Sequence, residues 1–327
     1  MAYSQGSIIA AADYNTLING ANQLNTVWAT GTGNVGYGQS AISTVASSGT
    51  VTASQWATLI NRLNSIKTHQ SGAGTGISAT TAGSTVNFIS TLQANVDSAY
   101  TNRTSFTTQG TTVTGSTFSP ALTNATTQSA LTYTVIRTIT FQSGDQARYF
   151  FNCGGQINLV SISATNNDAT SRSGDIVTMI HTNFGGLTAL RSATNGGRTG
   201  TGGTLTTGNT AIGYQTLTTA NVTPILVTST TANYTNDTFK CDVKSNGVQG
   251  ANADHGNVIT ISCTIFSASS AAYAVPAAIP VYVPAGTPPV NNASVNESVN
   301  VTWNHRIDIV PPEVTNLTLS WGNITVT

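Results

Sequence analysis

Near Ser129 the spacing of apolar residues changes from steps of three and four to every second position, and no single regular element accommodates both periods. Before that point, DYNTLINGANQLNTVW sets Tyr14, Leu17, Ile18, Ala21, Leu24 and Trp28 along one helical face. After it, ALTYTVIRTITF alternates, with Tyr133, Val135, Ile139 and Phe141 toward one side. SGDQ reads as a turn, ARYFFN as a strand and CGGQ as another turn, and INLVSISA, DIVTMIHT, TPILVTST, DTFKCDVKS and NVITISCTIF continue the series. Roughly six to eight short strands joined by Gly/Asn turns imply an antiparallel β-sandwich. Within ARYFFN a strand would turn Phe150 and Phe151 to opposite faces, so one ring needs cover from outside the sandwich. Arg148 beside Asp145 reads as a surface ion pair, and Gly154-Gly155 permits a tight turn. The stretch from 165 to 222 reads as long polar loops, which are functional or disordered.

The helical start contains a repeat. Ile9–Asn25 aligns without gaps on Val51–Lys67, sharing an Ala, Thr-Leu-Ile-Asn and a later Asn, with Tyr14 facing Trp56. In the second copy Thr52 and Gln55 form a capping box ahead of Trp56, Leu59, Ile60, Leu63 and Ile66. So small a helical hairpin has little core of its own. Tyr14, Leu17, Ile18, Trp28, Trp56, Leu59, Ile60 and Leu63 are therefore candidates both for packing between its helices and for an interface with a neighbouring subunit. Between the copies lies GTGNVGYGQ, whose Gly31, Gly33 and Gly36 spell the dinucleotide fingerprint G-x-G-x-x-G. That motif needs a strand before it, a helix after it and an acid about 20 residues on. A helical pattern precedes it, small and β-branched residues follow, and no Asp or Glu occurs between Gly36 and Gln70. The stretch is read as a glycine-rich connector.

Further on, QSGAGTGISATTAGST has linker composition, Phe88, Leu92, Val96 and Tyr100 mark a third helix, and 104–127 reads as an extended connection. The chain divides into a helical repeat module (1–72), a linker with one helix (73–127), a β-sandwich (128–270), and a proline-rich spacer with a C-terminal β segment (271–327). Prolines from Pro276 to Pro289 make that spacer semi-rigid. The last segment alternates around Trp303, Ile307, Ile309, Leu317, Leu319 and Trp321. It is too short to bury them alone, so Trp303, Ile307, Ile309, Leu319 and Trp321 are expected to meet another chain.

Only 7% of the 327 residues are charged and the formal net charge is zero, against about 25% charged in ordinary domains. Such a surface suits life inside an assembly. It argues against a nucleic-acid partner, which needs a basic patch where RSATNGGR offers only Arg191 and Arg198. No apolar run is long enough for a membrane span, and MAYSQGSIIAAADYN lacks the basic n-region of a signal peptide. Cys153, Cys241 and Cys263 are odd in number and lack metal spacing, which disfavours a disulfide scaffold. His69, His181, His255 and His305 form no ligand pair, G-x-S-x-G is absent, and the acids are scattered. Trp303, Trp321, Tyr214 and Tyr234 could stack on sugars, but their strand spacing favours core or interface. No cofactor and no catalytic residue are expected.

SGDQARYFFNCGGQINLVSIS, TANYTNDTFKCDVK and GNVITISCTIF resemble a family of structural proteins of tailed bacteriophages. YGQ, VTASQW with the LI and LN that follow it, and HQSG are similar to the family's N-terminal pieces. These stretches touch most of residues 9–267, and Arg148–Asn152 with Gly154-Gly155 is the most specific. The resemblance implies a small helical part joined to a β-sandwich, and a place in the tail, baseplate, collar or fibre of a virion. It also implies a non-enzymatic homo-oligomer, built in the host cytoplasm, whose expected partners are copies of itself and other virion proteins. Alternatives are a receptor- or glycan-binding host-attachment fibre, or a capsid decoration protein.

Overall fold

A computed structural model describes residues 10–84, 86–124, 130–166, 171–231, 234–248, 256–268 and 298–327. The chain is mainly β, with two antiparallel sheets. Its first described part is helical: α1 (Ala11–Ile18), α2 (Leu24–Trp28), α3 (Ala53–Ser71) and α4 (Ile89–Thr101). Tyr14, Leu17, Ile18, Trp28, Trp56, Leu59, Ile60 and Leu63 are all buried in one cluster with Leu92 and Val96 of α4. They are the region's own core, so they offer no surface to a neighbour. α4 supplies the packing surface that the two repeat copies lack. The stripe from Tyr14 to Trp28 is not one continuous helix, because Gly20 (φ +155°) and Asn22 (φ +71°) break it into α1 and α2. The capping box on α3 does form, with the Thr52 side chain accepting from Gln55 N while Gln55 Oε1 accepts from Thr52 N at 2.8 Å.

The β elements are β1 (Ala121–Asn124), β2 (Leu131–Phe141), β3 (Gln156–Thr165), β4 (Gly186–Leu190), β5 (Gly197–Arg198), β6 (Thr204–Gly208), β7 (Val222–Thr228), β8 (Thr238–Ser245), β9 (Val258–Ser267), β10 (Val299–Val310) and β11 (Ile324–Val326). One sheet runs β1-β10-β3-β4-β5 and the other β11-β2-β9-β8-β7-β6. Both contribute to one core, where Phe239 of β8 meets Trp303 of β10 edge-on at 6.2 Å and stacks on Phe184 at 4.3 Å.

Two segments read as strands are helical. ARYFFN belongs to α5 (Gly144–Asn152), because Ser143 accepts from Gln146 N and starts a helix. On a helix Phe150 and Phe151 both turn inward, at 0% and 1% exposure, and neither ring needs outside cover. DIVTMIHT lies in α6 (Arg172–Val177) and the π-helical turn Thr178–Phe184, which bury Ile176, Met179, Ile180 and Phe184. Together with β4, β5, β6 and a short 3-10 turn (Tyr214–Thr216), these elements occupy much of the described part of the stretch read as long loops.

The C-terminal segment also departs from expectation. β10 lies inside its sheet between β1 and β3, so the chain itself pairs both edges of that strand. Trp303, Ile307, Ile309 and Trp321 are buried within the chain, and only Leu319 is exposed. The missing cover comes from residues 109–124, read as a plain connection: bridges Gln109–Pro312, Val113–Ile309 and Phe118–His305 lay it along β10 before β1 pairs in register. The proline spacer from Pro276 to Pro289 falls outside the described residues.

Candidate functional site

A dense collection of buried polar groups lies where the helical region meets the sheets, and the glycine loop is its centre. Gly31, Gly33, Gly36 and Gly38 all have positive φ, from 54° to 92°. The loop doubles back on the end of α2, with Tyr37 N donating to Val27 O (2.8 Å) and Gly38 N to Ala29 O (2.9 Å). A side chain at Gly36 would place its Cβ 2.0 Å from Thr30 O, and one at Gly38 would strike the Tyr149 ring. The glycines thus serve the reversal and close approach of backbone.

The polarity of the loop is the reverse of a phosphate cradle. A cradle points amide N–H groups at its anion, whereas this loop turns carbonyls toward side-chain donors. Asn152 Nδ2 of α5 lies 3.0–3.2 Å from the carbonyls of Gly33, Val35 and Gly36. Gln215 Nε2 donates to Gly33 O (3.2 Å) and to Asn152 Oδ1 (3.1 Å). Arg148, almost wholly buried, reaches Val35 O and holds Asp145 at 2.7 Å. That pair is an inward anchor on the Arg side, not the surface ion pair its neighbours suggested.

The adjoining residues extend the seam. Gln39 forms a two-way amide pair with Thr318, Nε2 donating to its carbonyl (3.0 Å) and Oε1 accepting from its N–H (2.9 Å). Tyr37 Oη donates to Arg103 O (2.8 Å) and accepts from Gln70 Nε2 (3.0 Å). His69 Nδ1 meets Glu313 Oε1 at 3.2 Å, both side chains being buried. Burial pushes the His69 pKa down against the opposing pull of Glu313. Burial also works to raise that of Glu313, but hydrogen bonds from Asn316, Thr315 and His69 outweigh it and hold the carboxyl low. The pair is therefore a neutral imidazole donating to a carboxylate.

Cys153, His69 and Glu313 are residue types that a thiol-based hydrolase would use. A nucleophilic thiol needs a depressed pKa and access. Cys153 is fully buried, points its sulfur at Tyr37 O (3.9 Å), and has its pKa pushed up by burial and then by Glu313. Here the three residues hold the joint together.

The other titratable groups singled out in the sequence are similarly engaged. His305 is buried, accepts from Arg137 Nε at 2.8 Å and stacks on Trp303 at 4.2 Å. Burial, then the Arg137 charge, lower its pKa to about 4. His181 meets Ser161 Oγ at 3.2 Å, and Ser161 also accepts from Trp303 Nε1. His255 lies outside the described residues. Trp303, Trp321, Tyr214 and Tyr234 are all buried, so none offers a sugar platform. No group of three His, Cys, Asp or Glu suited to a metal occurs among the described residues, and no helix among them is long and apolar enough to cross a membrane.

A second buried cluster, absent from the sequence reading, sits at the end of β9. Asp175 of α6 accepts from Ser229 Oγ (2.6 Å), while Asp237 accepts from Ser267 Oγ (2.5 Å) and Ala268 N (2.9 Å). Arg172 donates to Ser267 Oγ and to the carbonyls of Ser267 and Ala268. Burial raises the Asp175 pKa to about 6, opposed by Ser229 and Thr231 and reinforced by Asp237. The adjacent Ser173 Oγ accepts from Asn300 N and donates to Ser298 O. Consecutive residues of α6 thus hold both the end of β9 and the start of β10.

Comparison with protein-family models, with curated proteins and with solved structures finds no match to this chain.

Proposed function

We propose that this chain is a structural component of a tailed-phage virion, placed in the tail, baseplate or an attached fibre and working through protein–protein assembly in several copies. One observation carries the reading. The segments that bear the resemblance, YGQ, HQSG and RYFFN with CGG, lie far apart in sequence yet meet at one seam through Tyr37, Gln39, His69, Gln70, Asn152 and Cys153. Their polar groups are spent on holding a helical part against two sheets over a shared core, the helix-plus-sandwich plan that the resemblance implies. A rigid joint of this kind suits a building block.

The contact surface for neighbours is assigned to the outer face of β2 and β9, since the apolar helical residues are used internally. That face carries Thr132, Thr134, Ser262 and Thr264 in register, with Ile136 and Phe266 exposed and no charge on either strand's outward positions from 132 to 136 and 262 to 266. Uncharged hydroxyl and methyl groups lose little on leaving water when the partner supplies hydrogen bonds. The test is a doubly substituted chain, I136K with F266K, followed by circular dichroism and by particle incorporation. A folded protein that no longer joins virions is expected, and normal incorporation would remove this face from the proposal. Failure to find the wild-type chain in purified particles, by peptide mass spectrometry or labelled imaging, would overturn the virion reading itself.

A further inference from the structure

Cys241 and Cys263 stand directly opposite each other in the β8–β9 ladder. Both are free, buried and turned into the core shared by the two sheets. Directly opposed residues of an antiparallel pair point to the same face, with Cα atoms about 4.5 or 5.5 Å apart. A disulfide spans Cα separations of about 4.4–6.8 Å. The third cysteine does not compete, because Cys153 belongs to the helical cluster and faces Tyr37 O.

We propose that Cys241 and Cys263 are a redox modification site, forming a reversible cross-strand disulfide by exchange with a small disulfide once the chain leaves a reducing compartment. Burial first, and then the hydrogen bond to Cys241, push the Cys263 thiol up, so it rests protonated and reaction waits on a local opening of the strands. Beside the Arg137 guanidinium of neighbouring β2, whose charge works against that burial, Cys263 can attack first. Its sulfur attacks one sulfur of the small disulfide, forming a mixed disulfide and expelling one thiolate. The Cys241 thiolate then attacks the Cys263 sulfur and expels the second. The two protons lost by the protein end on the two released thiols, so the protein is oxidised by two electrons and the small disulfide is reduced. Opposed Cβ atoms start about 4.5–5.5 Å apart, whereas a disulfide prefers about 3.5–4.5 Å. The strands must draw together, which strains the bond and makes it easily reduced again.

The exchange requires only that the chain meet a small disulfide, whether or not it belongs to a virion. Full-length protein purified with reductant is exposed to excess hydroxyethyl disulfide, quenched in acid, denatured and treated with iodoacetamide. Alkylation at Cys153 alone is expected, in place of all three cysteines, with a peptide pair joined through Cys241 and Cys263 that has lost two hydrogens and separates on adding dithiothreitol. Mild urea should speed the reaction by raising the open population. Cys263→Val, a substitution suited to a buried strand, should abolish the joined peptide pair, since any mixed disulfide at Cys241 then has no second thiol to resolve it. Three alkylated cysteines after long exposure in mild urea, a mixed disulfide that goes no further, or a bridge to Cys153 would each overturn the proposal.

Discussion

The sheets and the helical region of this molecule are held by different means. The sheets rest on continuous backbone ladders, such as the pairing of Leu131–Thr140 with Val258–Ser267, so each side chain adds to a framework that does not depend on it. The helical region contains long stretches without regular structure, and single amide side chains pin them. Asn15 holds both N–H and carbonyl of Val45, Asn25 does the same for Ile42, and Asn64 ties Thr75 and Ile77. Each of these amides imitates a missing strand neighbour. Cooperative ladders spread the effect of a substitution, whereas a solitary amide concentrates it.

The largest effect is expected in the sheet core, where Trp303→Ala removes the ring between Phe239 and His305 and should lower stability by about 3–5 kcal/mol. Urea unfolding should keep one transition. If the ladders govern the whole chain, all probes will shift together. Next comes Asn152→Ala at the seam, which strips the glycine loop's carbonyls of their shared donor at a cost of about 2 kcal/mol. Here the comparison predicts divergence, with hydrogen exchange rising in residues 29–39 while β8 and β9 stay protected. Uniform loss of protection would show that the two regions do not differ as claimed.

Asp175→Asn tests the reverse sign. Its carboxyl binds a proton in the fold up to about pH 6, against 3.8 for an unperturbed side chain, so the folded state holds more protons between those values and stability falls as pH rises through them. The Asn variant should gain on the order of 1 kcal/mol at pH 7 and flatten that part of the profile. His305 works oppositely. Its pKa near 4 means the stability it contributes is full above about 6.5 and lost as pH falls toward 4. A thermal-melt series from pH 4 to 7 on wild type and D175N separates the two, and an unchanged slope in the variant would dismiss the Asp175 assignment. The smallest effect belongs to Thr52→Ala, which removes one cap from a long, well-packed helix for about 1 kcal/mol.

How much of this was legible in the sequence depended on distance along the chain. Alternation marked β2, β3, β7, β8 and β9, and the Thr52–Gln55 box marked the start of α3, because those signals are local. The same local chemistry was present at Ser143–Gln146 and was passed over. Two adjacent aromatics in a short stretch have strand propensity, and tertiary burial of Ala147, Phe150 and Phe151 at helical spacing overrode it. The β-branched residues of Asp175–Thr182 misled in the same way. Thr-Leu-Ile-Asn occurs in both α1 and α3, but Gly20 stops the first where Arg62 lets the second continue. The seam was invisible, since Gly33, Asn152 and Gln215 meet only after the chain has folded. The pairing of the C-terminal strand within the chain was hidden for the same reason: alternation showed a strand, while its neighbours lay at 121–124 and 156–165.

The place of β10 bears on how the molecule is made. Its neighbours β1 and β3 leave the ribosome long before residues 299–310 do, and until then each keeps an unpaired edge turned toward the space that β10 will fill. A chain interrupted after β3 but before β10 therefore retains two sticky edges and no means of closing them. Closure of this sheet waits for residues 299–310, and a copy cut short before them is marked by its own exposed backbone for aggregation or proteolysis.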